Sequence, residues 1–111
     1  NVFPEELEYY LGRVDAVAES MVWAEPDESG QDDTIVASIR PDQEVLKELL
    51  GEENANDEEK VKELLWKYVD EINEDLPLFK KIRKIIIRKT DFVKNASKKL
   101  IRFAPENKEE Q

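Results

Sequence analysis

Apolar positions recur along the chain with two different periods, and the switches between them mark out the elements. Leu7, Tyr10, Leu11 and Val14 return at three- and four-residue intervals, which is the spacing of one buried helix stripe. Pro4 suits a first helical turn, and Glu5 and Glu6 complement its positive end. A helix is predicted over residues 4–14, with Gly12 weakening its end. The period then shortens. Residues 20–24 form a compact apolar run, and residues 34–40 alternate Ile35, Ala37 and Ile39 against Val36 and Ser38, the pattern of strands. Between them lies EPDESGQDD, a polar stretch with Pro26 and Gly30. Such turn chemistry between two strands predicts an antiparallel hairpin.

The longer period returns after Pro41. Asp42 can cap a helix through residue 50, with Val45, Leu46, Leu49 and Leu50 on one side and Gly51 placed to end it,. A second helix is predicted from residue 56, where Asn56 and Glu59 make a capping-box-like pair,. Its stripe is Val61, Leu64, Leu65, Tyr68 and Ile72, and Pro77 stops it. Residues 82–88 read as a strand, because three consecutive isoleucines at 85–87 are stiff, β-branched side chains,. Residues 91–103 read as a loop followed by a short helix. The order helix, strand, strand, helix, helix, strand predicts a small α+β domain, with an antiparallel or mixed sheet of about three strands packed by three or more helices. That domain spans residues 1–104, and the polar residues 105–111 are expected to fray,.

Composition narrows the chemistry. At 111 residues, 40% hydrophobic, with two Trp, three Tyr and four Phe, the chain can bury a modest core and is not disordered. It has no cysteine and no histidine. Disulfides, thiolate nucleophiles, Cys-ligated metal sites, imidazole bases and a Ser-His-Asp triad are therefore excluded. Chemistry must rest on Lys, Arg, Asp, Glu, Tyr or a bound cofactor. The net charge of −10 hides an asymmetry: residues 80–102 hold ten basic groups and one acid, net +9, and the remainder is −19. An acidic body with one cationic segment points to an anionic ligand or an acidic neighbouring surface. No apolar run approaches the roughly 20 residues that span a bilayer. There is no signal peptide, and an opening on Asn1 reads as a piece of something longer,.

The cationic segment has two parts. In FKKIRKIIIRK the charges and isoleucines interleave at strand spacing, which makes a poor amphipathic membrane helix. A sequence pI near 4.6 opposes the basic footprint of a nucleic-acid binder,. Lys80, Lys81, Arg83, Lys84, Arg88 and Lys89 are read as a solvated strand face, their stems covering apolar surface. The second part, VKNASKKLIRF, places small polar residues before paired lysines. That suits a loop that approaches a ligand closely, although Ser/Lys-rich loops mostly face solvent.

Three segments, in order, carry a resemblance. Asn1-Val2-Phe3-Pro4-Glu5-Glu6-Leu7-Glu8 is similar to the Asn-Ile-x-Pro-x-Glu-Ile-Glu segment that follows the interdomain hinge of the AMP-forming adenylating enzymes. These include the acyl-CoA synthetases, peptide-synthetase adenylation domains and luciferases. Val22-Trp23-Ala24, with the later Gly30, resembles the strand and turn after it, the usual Val-Val-Gly being altered at Trp23 and Ala24. Lys94-Asn95-Ala96-Ser97-Lys98-Lys99-Leu100-Ile101-Arg102 resembles the closing Lys-Thr-x-x-Gly-Lys-Ile-x-Arg motif, with Asn95 for its Thr and Lys98 for its Gly. Together they cover nearly the whole chain. The Lys-Lys form followed by Arg102 and Phe103, and Ile72-Asn73-Glu74-Asp75-Leu76-Pro77 with Lys80, Lys81 and Ile82, look most like the long-chain fatty-acyl-CoA synthetase branch.

The resemblance implies the small mobile C-terminal domain of an enzyme that joins a fatty acid to coenzyme A at the expense of ATP. Lys99 takes the position of the adenylation lysine, and Asn1, Val2 and Phe3 border the CoA channel. Arg102 either pairs with an acid or contacts phosphate. ATP, CoA and Mg2+ belong to the full-length enzyme, whose large N-terminal domain is the implied partner, and none is expected on these residues alone. The implied parent is cytoplasmic and can be peripheral at a membrane. Without the resemblance, Lys99 is an exposed lysine on a charged tail. Lys98 has no implied side-chain role, Glu6 and Glu8 read as helix-surface or packing residues, and Trp23 and Trp66 as core or interface aromatics. Two alternatives stand beside this reading: a non-catalytic module that docks an acidic partner through its cationic segment, or the same domain serving another acid or acceptor.

Overall fold

The computed structural model describes residues 4–102 and 104–109. Its organising feature is a central strand buried on both faces. The elements run α1 (Pro4–Gly12), β1 (Val17–Pro26), β2 (Asp33–Pro41), α2 (Gln43–Leu50), α3 (Glu52–Ala55), α4 (Glu58–Glu74) and β3 (Ile82–Ile87), with 3-10 turns at Leu78–Lys80 and Pro105–Lys108. The sheet order is β1-β2-β3. β1 and β2 form the expected antiparallel hairpin, from Val17 opposite Pro41 to Pro26 opposite Asp33. β3 lies parallel to β2, from Ile35 opposite Ile82 to Ile39 opposite Ile87. A parallel neighbour cannot be reached by a tight turn, so α2, α3 and α4 form the crossover. The fold is the α+β class that the pattern predicts, with the sheet mixed.

Strand alternation sorts the core into two layers. Ile35, Ala37 and Ile39 of β2, with Val22 of β1 and Ile82, Ile85 and Ile87 of β3, pack against Leu7 and Leu11 of α1, Leu46 of α2 and Val61, Leu65 and Val69 of α4. Val36 and Ile86 point the other way, joining Met21, Trp23, Phe92 and the half-buried Leu100. The run of three isoleucines thus serves two layers. The register slips between Ile82 and Lys84, which is why Ile82 and Ile85, three apart, reach the same side. Among the described residues no α-helix covers the second face; the chain beyond β3 does.

The caps are local. Asp42 accepts the N–H groups of Glu44 and Val45, and Gly51 closes α2 at φ +87°, its N–H donating to the Lys47 carbonyl,. The cap of α4 falls on Asp57 rather than Asn56: Asp57 is extended and accepts the Glu59 and Lys60 N–H groups at 3.0 and 3.4 Å. Asn56 is helical because it closes α3, a single turn with too few residues to show a period. The Asn73 carboxamide then ties α4 to β3, accepting the Ile82 N–H at 2.8 Å and donating to the Ile82 carbonyl at 3.0 Å.

Three expectations are corrected in the C-terminal region. Arg88 is not on a solvated face; it is 3% exposed. β3 ends one residue earlier, and the Arg88 N–H still bonds the Ile39 carbonyl at 2.7 Å. The side chain turns under the following segment, with its guanidinium 4.6 Å from the Phe92 ring. Residues 105–111 were expected to fray, yet Pro105–Lys108 forms a 3-10 turn whose Asn107 is fully buried. That turn is also the only helical structure among the described residues after β3, so the short helix predicted within 91–103 does not form there. Among the described residues no helix is long and apolar enough to cross a membrane.

Candidate functional site

The closing segment folds as a small hairpin-like loop against the second face of the sheet. Lys94 and Leu100 form an antiparallel bridge. Asn95 organises the turn between them. Its carboxamide oxygen accepts the Ser97 and Lys99 N–H groups at 2.9 and 3.1 Å. Its own N–H donates to the Lys99 carbonyl, and its carbonyl accepts the Lys98 N–H, each at 2.9 Å. Asparagine favours such side-chain-to-backbone turns. Lys98 sits at φ +63°, the left-handed region that costs a side-chain-bearing residue about 1–2 kcal/mol. Lys99 follows on the exposed rim, and its ammonium has no partner among the described residues.

Three buried or half-buried polar groups hold this loop. Asn107 spans its two stems: Oδ1 accepts the Val93 N–H at 2.6 Å, and Nδ2 donates to the Val93 and Ile101 carbonyls at 3.0 and 2.9 Å. Arg88 fixes the chain before and after it, donating to the carbonyls of Thr90 (2.9 Å), Asp91 (3.1 Å) and Glu106 (2.7 Å). Arg102 extends both terminal nitrogens to Glu8, at 2.8 and 2.5 Å, with Glu5 3.7 Å away.

Glu8 belongs to α1 yet serves the sheet. Its Oε2 accepts the Val22 N–H at 2.8 Å, and Arg102 reaches the Val22 carbonyl at 3.5 Å. The pair therefore satisfies the outer edge of β1 as a neighbouring strand would. Glu8 raises the Arg102 pKa by hydrogen bond and charge, against the opposing effect of burial. Arg102 is thus engaged by acids, and a phosphate contact would require that bidentate pair to open.

A second ionic cluster supports the loop from below. Glu19 faces Arg40 at 2.9 Å, the Lys94 ammonium, and the Phe92 N–H at 3.4 Å, while Arg40 also meets Asp91 at 3.3 Å. Burial pushes the Glu19 carboxyl up, but the hydrogen bonds from Lys94, Arg40 and Phe92 outweigh it, and the net shift is downward. Lys94 is therefore a structural cation and Lys99 a presented one.

Of the residues singled out from sequence, Lys99 and Arg102 lie on this loop and its stem. Asn1, Val2 and Phe3 lie outside the described residues. Trp23 is buried in the second layer with its indole N–H on Glu25 at 3.1 Å, and Trp66 packs half-buried against the main core. Glu8, Glu19, Arg88, Asn95 and Asn107 carry the loop although no hydrophobic period marks them. Only Asn95 had a local signal, an Asn two residues before a Ser in a turn-forming stretch. Among the described residues no group of three or more Asp or Glu side chains is placed to hold a metal ion. Compared with protein-family models and with curated proteins, the chain matches none.

Proposed function

We propose that this chain is the mobile C-terminal domain of an AMP-forming long-chain fatty-acid–CoA ligase, presenting Lys99 to the ATP site of a larger N-terminal domain. The observation that carries the reading is the meeting of the three resembling segments at one carboxylate. Glu8 of the first accepts the Val22 N–H of the second and holds Arg102 of the third, 94 residues away in sequence. The backbone of Lys98 adds support, since it takes a left-handed φ at the position where the motif has glycine,.

The proposed chemistry needs neither imidazole nor thiolate. A carboxylate oxygen attacks the α-phosphorus of ATP, the bond to the β-phosphate bridging oxygen breaks, and pyrophosphate leaves. The CoA thiol then gives up its proton to solvent, its sulfur attacks the acyl carbon, and the bond from that carbon to the phosphate oxygen breaks as AMP leaves. In the first step two anions must approach, and two unit charges 4 Å apart repel by about 4 kcal/mol at an effective dielectric near 20. The Lys99 ammonium offsets that repulsion and stabilises charge developing at phosphorus, an electrostatic role rather than an acid–base one. Its exposed position, on a loop held rigidly from behind, suits delivery to another domain. The domain rotates between steps, so its interface must release. The ATP pocket, acyl tunnel and Mg2+ ligands belong to the large domain.

The test is a separation of half-reactions in the ligase that carries this domain. Lys99→Ala is expected to abolish acyl-adenylate formation, read as pyrophosphate exchange, while thioester formation from supplied acyl-adenylate persists. Equal loss of both half-reactions, or of neither, overturns the assignment. The isolated chain is expected to fold without catalysing.

A further inference from the structure

Asn107 is the one fully buried side-chain amide among the described residues, and all three of its hydrogen bonds go to the stems of the Lys99 loop. Its oxygen takes the Val93 N–H, and its nitrogen serves the carbonyls of Val93 and Ile101. Val93 and Ile101 are themselves joined by the Ile101 N–H to Val93 carbonyl bond at 3.1 Å. The carboxamide thus completes a ring that sets the separation and twist of the two stems, one residue outside the Lys94–Leu100 bridge. The 3-10 turn carrying Asn107 is itself held, since Arg88 donates to the Glu106 carbonyl at 2.7 Å. From the end of β3, Arg88 thus holds Glu106, and its chain neighbour Asn107 holds the loop that presents Lys99.

We infer that Asn107 is the positioning residue for Lys99, and that residues 104–109 are a working part of the site. The inference rests on the proposed role of Lys99. Hydrogen-bond inventory explains why asparagine is required. The position needs one acceptor and two donor hydrogens at fixed angles, which a primary amide supplies. Aspartate keeps the acceptor but turns a second oxygen toward two carbonyls. Leucine matches the volume but leaves the Val93 N–H without a partner and cuts the Val93 and Ile101 carbonyls back to one backbone bond each, from the Ile101 and Ala104 N–H groups,. A displacement of about 1 Å in a group that must reach a reacting centre costs on the order of 100-fold in rate.

The experiment compares Asn107→Asp and Lys99→Ala with the parent ligase in both half-reactions. Asn107→Asp is expected to slow adenylate formation on the order of 10- to 100-fold and to leave thioester formation from supplied acyl-adenylate within about twofold, because only the first step uses Lys99. A merely structural role would lower both half-reactions in proportion to the unfolded fraction, and that result overturns the inference. If Lys99→Ala spares adenylate formation, the proposed function fails. If Lys99→Ala abolishes it and a folded Asn107→Asp protein does not slow it, the positioning role alone fails. Hydrogen exchange on the unmutated 111-residue chain gives a result even where the variant does not fold. The Val93 amide is expected to exchange at least 100-fold more slowly than the Gly30 amide of the exposed hairpin turn, and equal rates overturn the inference.

Discussion

Replacing Arg88 with methionine removes the cation that joins the end of the sheet to everything beyond it. The guanidinium makes three hydrogen bonds to backbone carbonyls and stacks 4.6 Å from the Phe92 ring. No carboxylate among the described residues lies within ion-pair distance of it, so these carbonyls and the ring are its compensation. Hydrogen bonds from a charged donor contribute about 1.5–3 kcal/mol each, and a partly desolvated cation–π contact about 1–2 kcal/mol. The sum is an upper bound. Asp91 and Glu106 are exposed residues, and their carbonyls can turn partly to water, while methionine keeps the packing of the stem. The expected loss is therefore about 3–5 kcal/mol, a large share of the roughly 5–15 kcal/mol that holds a domain of this size. Urea unfolding followed by tryptophan fluorescence reads it directly, since Trp23 lies in the same layer as Phe92. At a slope of about 1.5 kcal/mol/M the midpoint falls by roughly 2–3 M. Arg88→Lys keeps the charge but not the planar fork, and its midpoint should lie between the two. Replacing buried ionic groups by apolar ones is sometimes neutral. A midpoint change in Arg88→Met worth less than about 1 kcal/mol would place Arg88 in that group and refute its role in holding the chain beyond β3.

Lys98→Gly relieves the left-handed backbone at φ +63° but gives the unfolded chain more freedom, so a net gain of about 0.5 kcal/mol is expected. Lys98→Val should instead cost about 1–2 kcal/mol, and a thermal melt that ranks valine above glycine would contradict this backbone conformation. Glu19 gives a pH dependence. Its carboxyl is held below its unfolded value of 4.5 by Lys94 and Arg40 against the opposing effect of burial. The stability it contributes is present above that value and is lost as pH falls through the lower folded one. Glu19→Gln should destabilise the chain at pH 7, and its gap to the parent should narrow as pH falls below 4.5,. Urea midpoints with a gap that stays constant across this range would rule out Glu19 as the titrating group.

Much of the fold was legible because its causes are local. Capping by Asp42 and termination at Gly51 depend on groups within four residues, and the alternation of Ile35, Ala37 and Ile39 follows from the two-residue period of a strand. Where two caps compete in adjacent residues, as Asn56 and Asp57 do, the preceding turn decides between them, and periodicity carries no information about it. The candidate site was half legible. Lys99 and Arg102 stood out by resemblance, while Asn95 entered only as a departure from the motif's Thr. The groups that hold the loop in place did not, because a polar residue that hydrogen-bonds 14 or 94 residues away looks in sequence like one that faces water.

The sequence by itself determined the three longer helices and the three strands to within a few residues, the antiparallel hairpin, the absence of thiol and imidazole chemistry, and the placing of a cationic segment beside an acidic body. Tertiary structure alone decided that the last strand runs parallel to the second, that Arg88 and Asn107 are buried, and that Glu8 closes the edge of β1 together with Arg102. Helical turns and strand alternation are written in contacts a few residues apart and repeat along the chain. A buried polar bond is a single contact between distant residues, and it exists only once the layers around it have excluded water.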